Sequence, residues 1–252
     1  MNCGAPLVDR YCGRCGQDHA HPRLRMKTLL GDWFESVLEL DWPVVRTVVD
    51  LIIRPGRVCR EYVDGRRRKY MSPLRYCVYA AAIFALLTVT LDVDTVGGFA
   101  DLIGAEALSE RKTLTEEEIA ALTDAERKQL EAVEFVEQNI QFFSLASLPL
   151  VVFIQMLAFR GNRLNYAEHA APVLYLNAQF FLLGAVTLLT GAHLWIWMTI
   201  VSSFVMLIYW IWACRVFYGR GWWATTWRSC IILFSKVVLD GLVGAIVVPI
   251  ML

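Results

Sequence analysis

The chain has 252 residues, 57% hydrophobic and only 19% charged, and its mean hydropathy is positive. A soluble domain is nearer half apolar and a quarter charged, so an ordinary water-soluble globule is excluded. The zero net charge hides a segregation. Up to Arg75 there are 14 Lys and Arg against 9 Asp and Glu, between Asp92 and Asn139 13 acids against 4 bases, and after Gln141 only 6 bases and 2 acids. Basic, acidic and nearly uncharged blocks in series predict an all-α integral membrane protein with sided loops.

Met1 leads directly into Cys3-Gly4, without the apolar core and small-residue cleavage site of a signal peptide. The N-terminus is therefore expected in the cytoplasm, where thiols stay reduced. Three of the seven cysteines fall in the first 15 residues, and a reducing compartment favours metal over disulfide. Cys12 and Cys15 form a C-x2-C pair, with Gly13 and Gly16 letting the backbone turn so that amides approach both sulfurs. Zinc takes four ligands in a tetrahedron, usually as two such pairs. Cys3, Cys12 and Cys15 are accordingly the expected ligands of a structural zinc ion in a cysteine knuckle over residues 1–21. Two completions stay open. One is a start upstream that supplies a cysteine one position before Met1; the other is His19 or His21 as fourth ligand. Three free thiols in a polar tail are the plain alternative.

Residues 22–72 are predicted to form cytoplasmic amphipathic, interfacial helices with a basic collar. Trp33, Phe34, Val37, Leu38 and Leu40 recur at helical spacing until Trp42 and Pro43. From Val44 to Ile53, Val45, Val48, Val49 and Ile52 share one face, with Arg46 and Asp50 at i, i+4 on the other. This segment is too short to cross a bilayer and fits a helix in the interface or packed on the bundle. Arg54-Pro55-Gly56 is expected to end it. The run Arg66, Arg67, Arg68 and Lys69 precedes the first long apolar stretch, so it predicts contact with anionic lipid rather than nucleic acid.

The N-C-G and Y-C-x-x-C-G-Q knuckle, Arg46-Thr47, Arg54-Pro55-Gly56, Glu61-Tyr62-Val63-Asp64-Gly65-Arg66-Arg67, Tyr70 and Pro73 resemble a bacterial membrane family, domain of unknown function 3667. Asn165-Tyr166-Ala167-Glu168-His169 resembles a second signature of that family. The family pattern opens with a full C-x2-C, and this chain lacks the first of those cysteines. The resemblance implies a multi-span inner-membrane protein with a zinc-ribbon-like cytoplasmic head. It carries no known activity.

The membrane domain, 73–252, is expected to hold about five transmembrane helices, at 73–93, 140–159, 170–189, 194–214 and 231–252. A crossing needs about 20 apolar residues. Between the first two lies an acidic excursion, 94–139, with capping-box patterns at Thr115 to Glu118 and Thr123 to Glu126, read as a solvated helical hairpin. Basic loops fall on one side and the acidic loop on the other, which places the N-terminus inside and the C-terminus outside a bacterial inner membrane.

Ionisable groups within spans are costly and are site candidates by default. Lys236 and Asp240 are four apart and can pair on one helix face, Lys236 near the cytoplasmic end where it can snorkel. Glu168 and His169 sit at the mouth of the third span, with Asn177 and Gln179 deeper. A Glu–His pair suits a metal or a proton relay, but equally a helix cap or an anchor to a neighbour. No H-E-x-x-H, G-x-S-x-G or P-loop pattern occurs. Two functions follow: a non-enzymatic scaffold or regulator with a cytoplasmic protein partner or a second copy of itself, or a small-solute or lipid transporter using a polar cavity. They separate on whether Glu168, His169 and Asp240 converge or face separate helix contacts.

Overall fold

The computed structural model describes residues 12–14, 24–27, 29, 43–91, 123, 127, 135, 140–189 and 192–251. Cys3, Cys15, His19 and His21, the helical pattern from Trp33 to Leu40 and nearly all of 94–139 lie outside the described residues. Among those described there is helix and no strand. In chain order the elements are α1 (Pro43–Ile53), α2 (Pro55–Val63), a single 3₁₀ turn (Arg67–Lys69), α3 (Pro73–Leu91), α4 (Ile140–Ala158), α5 (Tyr166–Leu188), α6 (Ala192–Tyr218) and α7 (Trp222–Met251).

Among the described residues, four helices are long and apolar enough to cross a membrane, in the segments Arg67–Leu91, Gln141–Ala158, Tyr166–Leu188 and Ile200–Tyr218. Their surfaces fit that reading. Leu86, Val89, Phe142, Leu150, Phe204 and Ile208 are all more than half exposed, as side chains facing lipid would be.

α5 is the hub. In its apolar window 72% of residues are buried, against 22 to 33% in the other three. It packs on α3, α4, α6 and α2, while α7 closes against α4 and α6. Lipid tails are as apolar as leucine, so helices in a bilayer associate through close packing and small residues. α5 supplies them: Ala167, Ala170, Ala171, Ala178 and Ala185 are buried along it. At Gly184 an added Cβ would come within 2.9 Å of the Phe84 ring on α3.

Pro55 starts a helix rather than ending structure. The sequence reading took Arg54-Pro55-Gly56 only as a stop, but proline is well placed in a first helical turn, where its missing N–H has no partner to lose. α2 buries Val58, Cys59, Tyr62 and Val63 and turns Arg57 and Arg60 outward. Its second residue, Gly56, lies against the α6 backbone. Gly65, at φ 103°, ends α2. Its N–H donates to Tyr62 O at 3.2 Å and the Arg66 N–H to Glu61 O at 2.9 Å, a closed glycine C-cap that sends the chain back along α2. Gly65→Ala puts a Cβ in the left-handed region and is expected to cost about 1 kcal/mol in thermal-unfolding comparisons.

α1 turns Thr47 and Leu51 inward and leaves Val45, Val49, Ile52 and Ile53 exposed. Its apolar face is thus presented outward.

Candidate functional site

The densest polar cluster lies where α1, α2 and the entry to α3 meet. The C-cap at Gly65 brings Lys69 and Tyr70 back over Glu61. Lys69 Nζ donates to Glu61 Oε2 at 2.7 Å and lies 4.0 Å from Asp50 Oδ2. The Tyr70 hydroxyl lies 2.9 Å from Glu61 Oε2 and 3.2 Å from Asp50 Oδ2, so one proton serves two carboxylates. Arg54 Nη2 reaches Asp50 Oδ1 at 2.8 Å, and Arg66 Nη1 lies 3.6 Å from Glu61 Oε1. Asp50 therefore pairs with Arg54, four residues after it, rather than with Arg46 before it. Next to the cluster, Thr47 Oγ1 accepts from the Met71 N–H at 2.9 Å, and the Tyr175 hydroxyl of α5 donates to Met71 O.

Burial pushes the Asp50 and Glu61 pKa values up, but the hydrogen bonds and charges of Arg54, Lys69, Tyr70 and Arg66 outweigh it and hold both below the ordinary range. Both acids are thus ionised at neutral pH with every oxygen partnered. Such a cluster offers no free base; it pins three elements together. Because the folded-state values are depressed, the stabilisation is fully present above the unfolded values of about 4 and is lost as pH falls from there through the lower folded-state values. Thermal stability of the wild type is expected to be flat from about pH 8 to 5 and to drop below about pH 4.5, with a smaller drop in Glu61→Gln, read by melting at each pH.

The second group sits at the α5 N-terminus. Asn165 Oδ1 accepts from the Glu168 N–H at 2.9 Å, and Glu168 Oε2 accepts from the Asn165 N–H at 2.7 Å. This reciprocal capping box satisfies amides that a helix start leaves without partners. Asn165 Nδ2 also donates to Leu24 O at 2.9 Å, tying the N-terminal region to α5. One residue on, the buried His169 places Nδ1 2.8 Å from the Tyr218 hydroxyl of α6, to which Gln155 Nε2 of α4 donates at 2.8 Å. Phe159 stacks on Tyr218 at 3.9 Å. The Tyr218 hydroxyl donates to Nδ1 in the tautomer that carries its proton on Nε2 and accepts from Nδ1 in the other. Three helices meet on that one hydroxyl.

The third and fourth groups are separate again. Asn177 Nδ2 lies 3.7 Å from Cys77 Sγ, and Gln179 Nε2 donates to the Tyr76 hydroxyl at 2.7 Å, both across the α3–α5 interface. On α7, Lys236 and Asp240 pair at 2.7 Å, as their spacing predicts. Lys236 Nζ also donates to Ser144 Oγ at 2.7 Å, and Ser147 Oγ to Asp240 Oδ1 at 2.5 Å. α7 begins at Trp222, well before the expected start of the span. Lys236 therefore lies about 21 Å along the helix at 1.5 Å per residue, its ammonium held by Ser144 of α4 and by Asp240.

Of the sequence-derived candidates, Glu168 and His169 are neighbours with different partners, Asn177 faces α3, and Lys236 and Asp240 face α4. In the basic run, Arg66 and Arg68 are exposed, whereas Lys69 is engaged inside the cluster. Of the predicted zinc ligands only Cys12 is described, and it is buried. Among the described residues no group of three His, Cys, Asp or Glu side chains is placed to hold a metal. The sequence reading missed Glu61, Tyr70, Tyr218, Gln155, Ser144 and Ser147 as partners. For the first two a signal existed, since both stand in the motifs quoted for the family.

No curated protein and no solved structure matches the chain. Residues 43–85, which hold the Asp50–Glu61–Lys69–Tyr70 cluster and the first part of α3, match the family described as Protein of unknown function (DUF3667). The resemblance read from the sequence is therefore borne out over this segment, and the chain carries a DUF3667 region at residues 43–85.

Proposed function

We propose that this chain is a multi-pass bacterial inner-membrane protein acting as a non-enzymatic scaffold or regulator. The observation that supports the reading is the separation of its costly polar groups. Glu168 caps α5, His169 ties α5 to α6, Asn177 meets α3, and Lys236 with Asp240 binds α4. Polar residues used as helix-to-helix ties fix a bundle; a transport site would gather them around one hydrated cavity. The fifth crossing in this reading is α7, whose 30 residues reach about 45 Å, more than a hydrocarbon core requires. In this reading the positive loops face the cytoplasm, with the N-terminus inside and the C-terminus outside. Cys3, Cys12 and Cys15 would hold a structural zinc ion in a head that docks a protein partner or a second copy. The soft thiolate donor set fits zinc. Exposed Arg66 and Arg68 would rest on anionic lipid.

The second reading, a transporter, draws on two buried amide oxygens in the bundle, Gln155 Oε1 and Asn177 Oδ1, which accept no hydrogen bond from the described residues. Water would serve them if a cavity were hydrated.

Single cysteines at Ser147, His169 and Asn177, in a chain whose native cysteines are replaced, separate the two readings. A water-soluble maleimide applied to both sides of sealed vesicles is expected to leave all three unlabelled. Labelling of all three would sink the scaffold and favour the transporter. Metal analysis of the purified full chain tests the head: one zinc per chain, lost in Cys12→Ser, supports it, and no zinc in the parent removes it.

A further inference from the structure

α1 has 11 residues, about 16 Å at 1.5 Å per residue, too few to cross a hydrocarbon core. Val45, Val49, Ile52 and Ile53 form one stripe along it, at i, i+4, i+7 and i+8, and are 46 to 59% exposed. Arg46, also exposed, stands at the edge of that stripe in helical register. Behind it Thr47 and Leu51 are buried, and Asp50 is engaged with Arg54 and Tyr70. An exposed apolar stripe with a polar, fully partnered back marks a surface that something apolar meets.

Two contacts set its depth. Thr47 accepts from the N–H of Met71, two residues before Pro73 opens α3, so α1 lies level with the start of that span. The Tyr209 hydroxyl of α6 donates to Leu51 O at 2.8 Å. Tyr209 lies nine residues, about 13.5 Å, inside the end of the apolar segment Ile200–Tyr218. A tyrosine ring reaching back toward that end still leaves Leu51 within the segment. Gly56, just past α1, lies against Ala213 and Val216 of the same segment. Beside Tyr209, Ile208 is 68% exposed, as a lipid-facing side chain would be.

We propose that α1 lies in the plane of the membrane, at the leaflet where α3 begins, with its stripe among the upper acyl chains. A helix with a polar back and an apolar stripe partitions into that boundary without crossing it. Arg46, on a long stem, reaches the headgroups from the stripe's edge. The hydrogen bonds of Thr47 and Asp50 then join a lipid-seated helix to the start of α3. The placement goes beyond the choice between scaffold and transporter and holds for either.

The test places a nitroxide at Val45, Val49 or Ile52, one at a time, in the full chain with its native cysteines replaced. The protein is reconstituted into vesicles of phosphatidylethanolamine and phosphatidylglycerol. Electron paramagnetic resonance then reads collision with oxygen, which concentrates in acyl chains, and with a water-soluble nickel chelate. Ile208 is the lipid reference and Arg57, exposed on α2, the polar one. All three α1 labels are expected to show an oxygen-to-nickel ratio several-fold above that at Arg57 and close to that at Ile208. A ratio like that at Arg57 would overturn the placement and leave a water-facing surface. Weak collision with both reagents would also overturn it, since protein, whether a second copy or another part of this chain, would then cover the stripe. The three positions are exposed, so each accommodates a label; if one variant does not reconstitute, the other two decide.

Discussion

Gly56→Ala is expected to lower the unfolding free energy by about 2 kcal/mol or more, and Gly56→Leu to leave little monodisperse protein. A Cβ at this position would clash with the carbonyl oxygen of Ala213 and come within 2.6 Å of Val216 Cβ and 3.1 Å of its Cγ1. The first of these is backbone in the last two turns of α6, which cannot rotate aside. Accommodating even one methyl therefore requires α2 to slide away from α6. That movement would also disturb Arg60, which donates to Phe217 O at 3.5 Å, and the buried packing of Val58 and Cys59. Gly241→Ala is the control: no atom lies within 4 Å of its added Cβ, so it is expected to be neutral or to stabilise α7 slightly. Melting in detergent, followed by size-exclusion fluorescence, checks both. Equal melting temperatures for Gly56→Ala and the wild type would mean that the helices are not in this close contact.

The second large effect is on α7. Asp240→Leu leaves the Lys236 ammonium with only Ser144 beside it, among apolar helices. Removing one partner of a buried ion pair is expected to cost about 3 kcal/mol, because an unanswered charge remains. The double change Lys236→Met with Asp240→Leu removes both charges, so it is expected to recover most of that loss. The pair is partly shielded rather than sealed, with side-chain exposures of 11% for Lys236 and 28% for Asp240, which argues for the lower end of the effect in the single variant. Reversible unfolding in mixed micelles reads all three proteins. A double variant no better than the single would mean that the pair does more than neutralise itself.

Much of the architecture was legible from hydropathy, because a run of about 20 apolar residues has few alternatives to a membrane helix. The ends were less legible. Hydropathy marks where lipid begins, whereas α7 starts at Trp222 and carries Trp223, Trp227 and Arg228 as helix before the apolar stretch. α2 was missed because Pro55-Gly56 reads as a stop, although here the proline opens a helix and the glycine admits a neighbour. Partners far apart in the chain were invisible. Tyr70 meets Asp50 across 20 residues and His169 meets Tyr218 across 49, distances set by a glycine C-cap and by helix packing rather than by periodicity. Ser144 and Ser147 gave no signal at all, since serines are common in spans and only the charges on α7 give these two a role.

The most direct measurement is a double-mutant cycle on unfolding free energy with Glu168→Ala and Asp240→Asn. If the polar groups are separate helix ties, the two losses are expected to add within about 0.5 kcal/mol. A coupling of about 1 kcal/mol or more would mean that the α5 entrance and the α7 pair share one site, and the scaffold reading would give way to a common polar cavity.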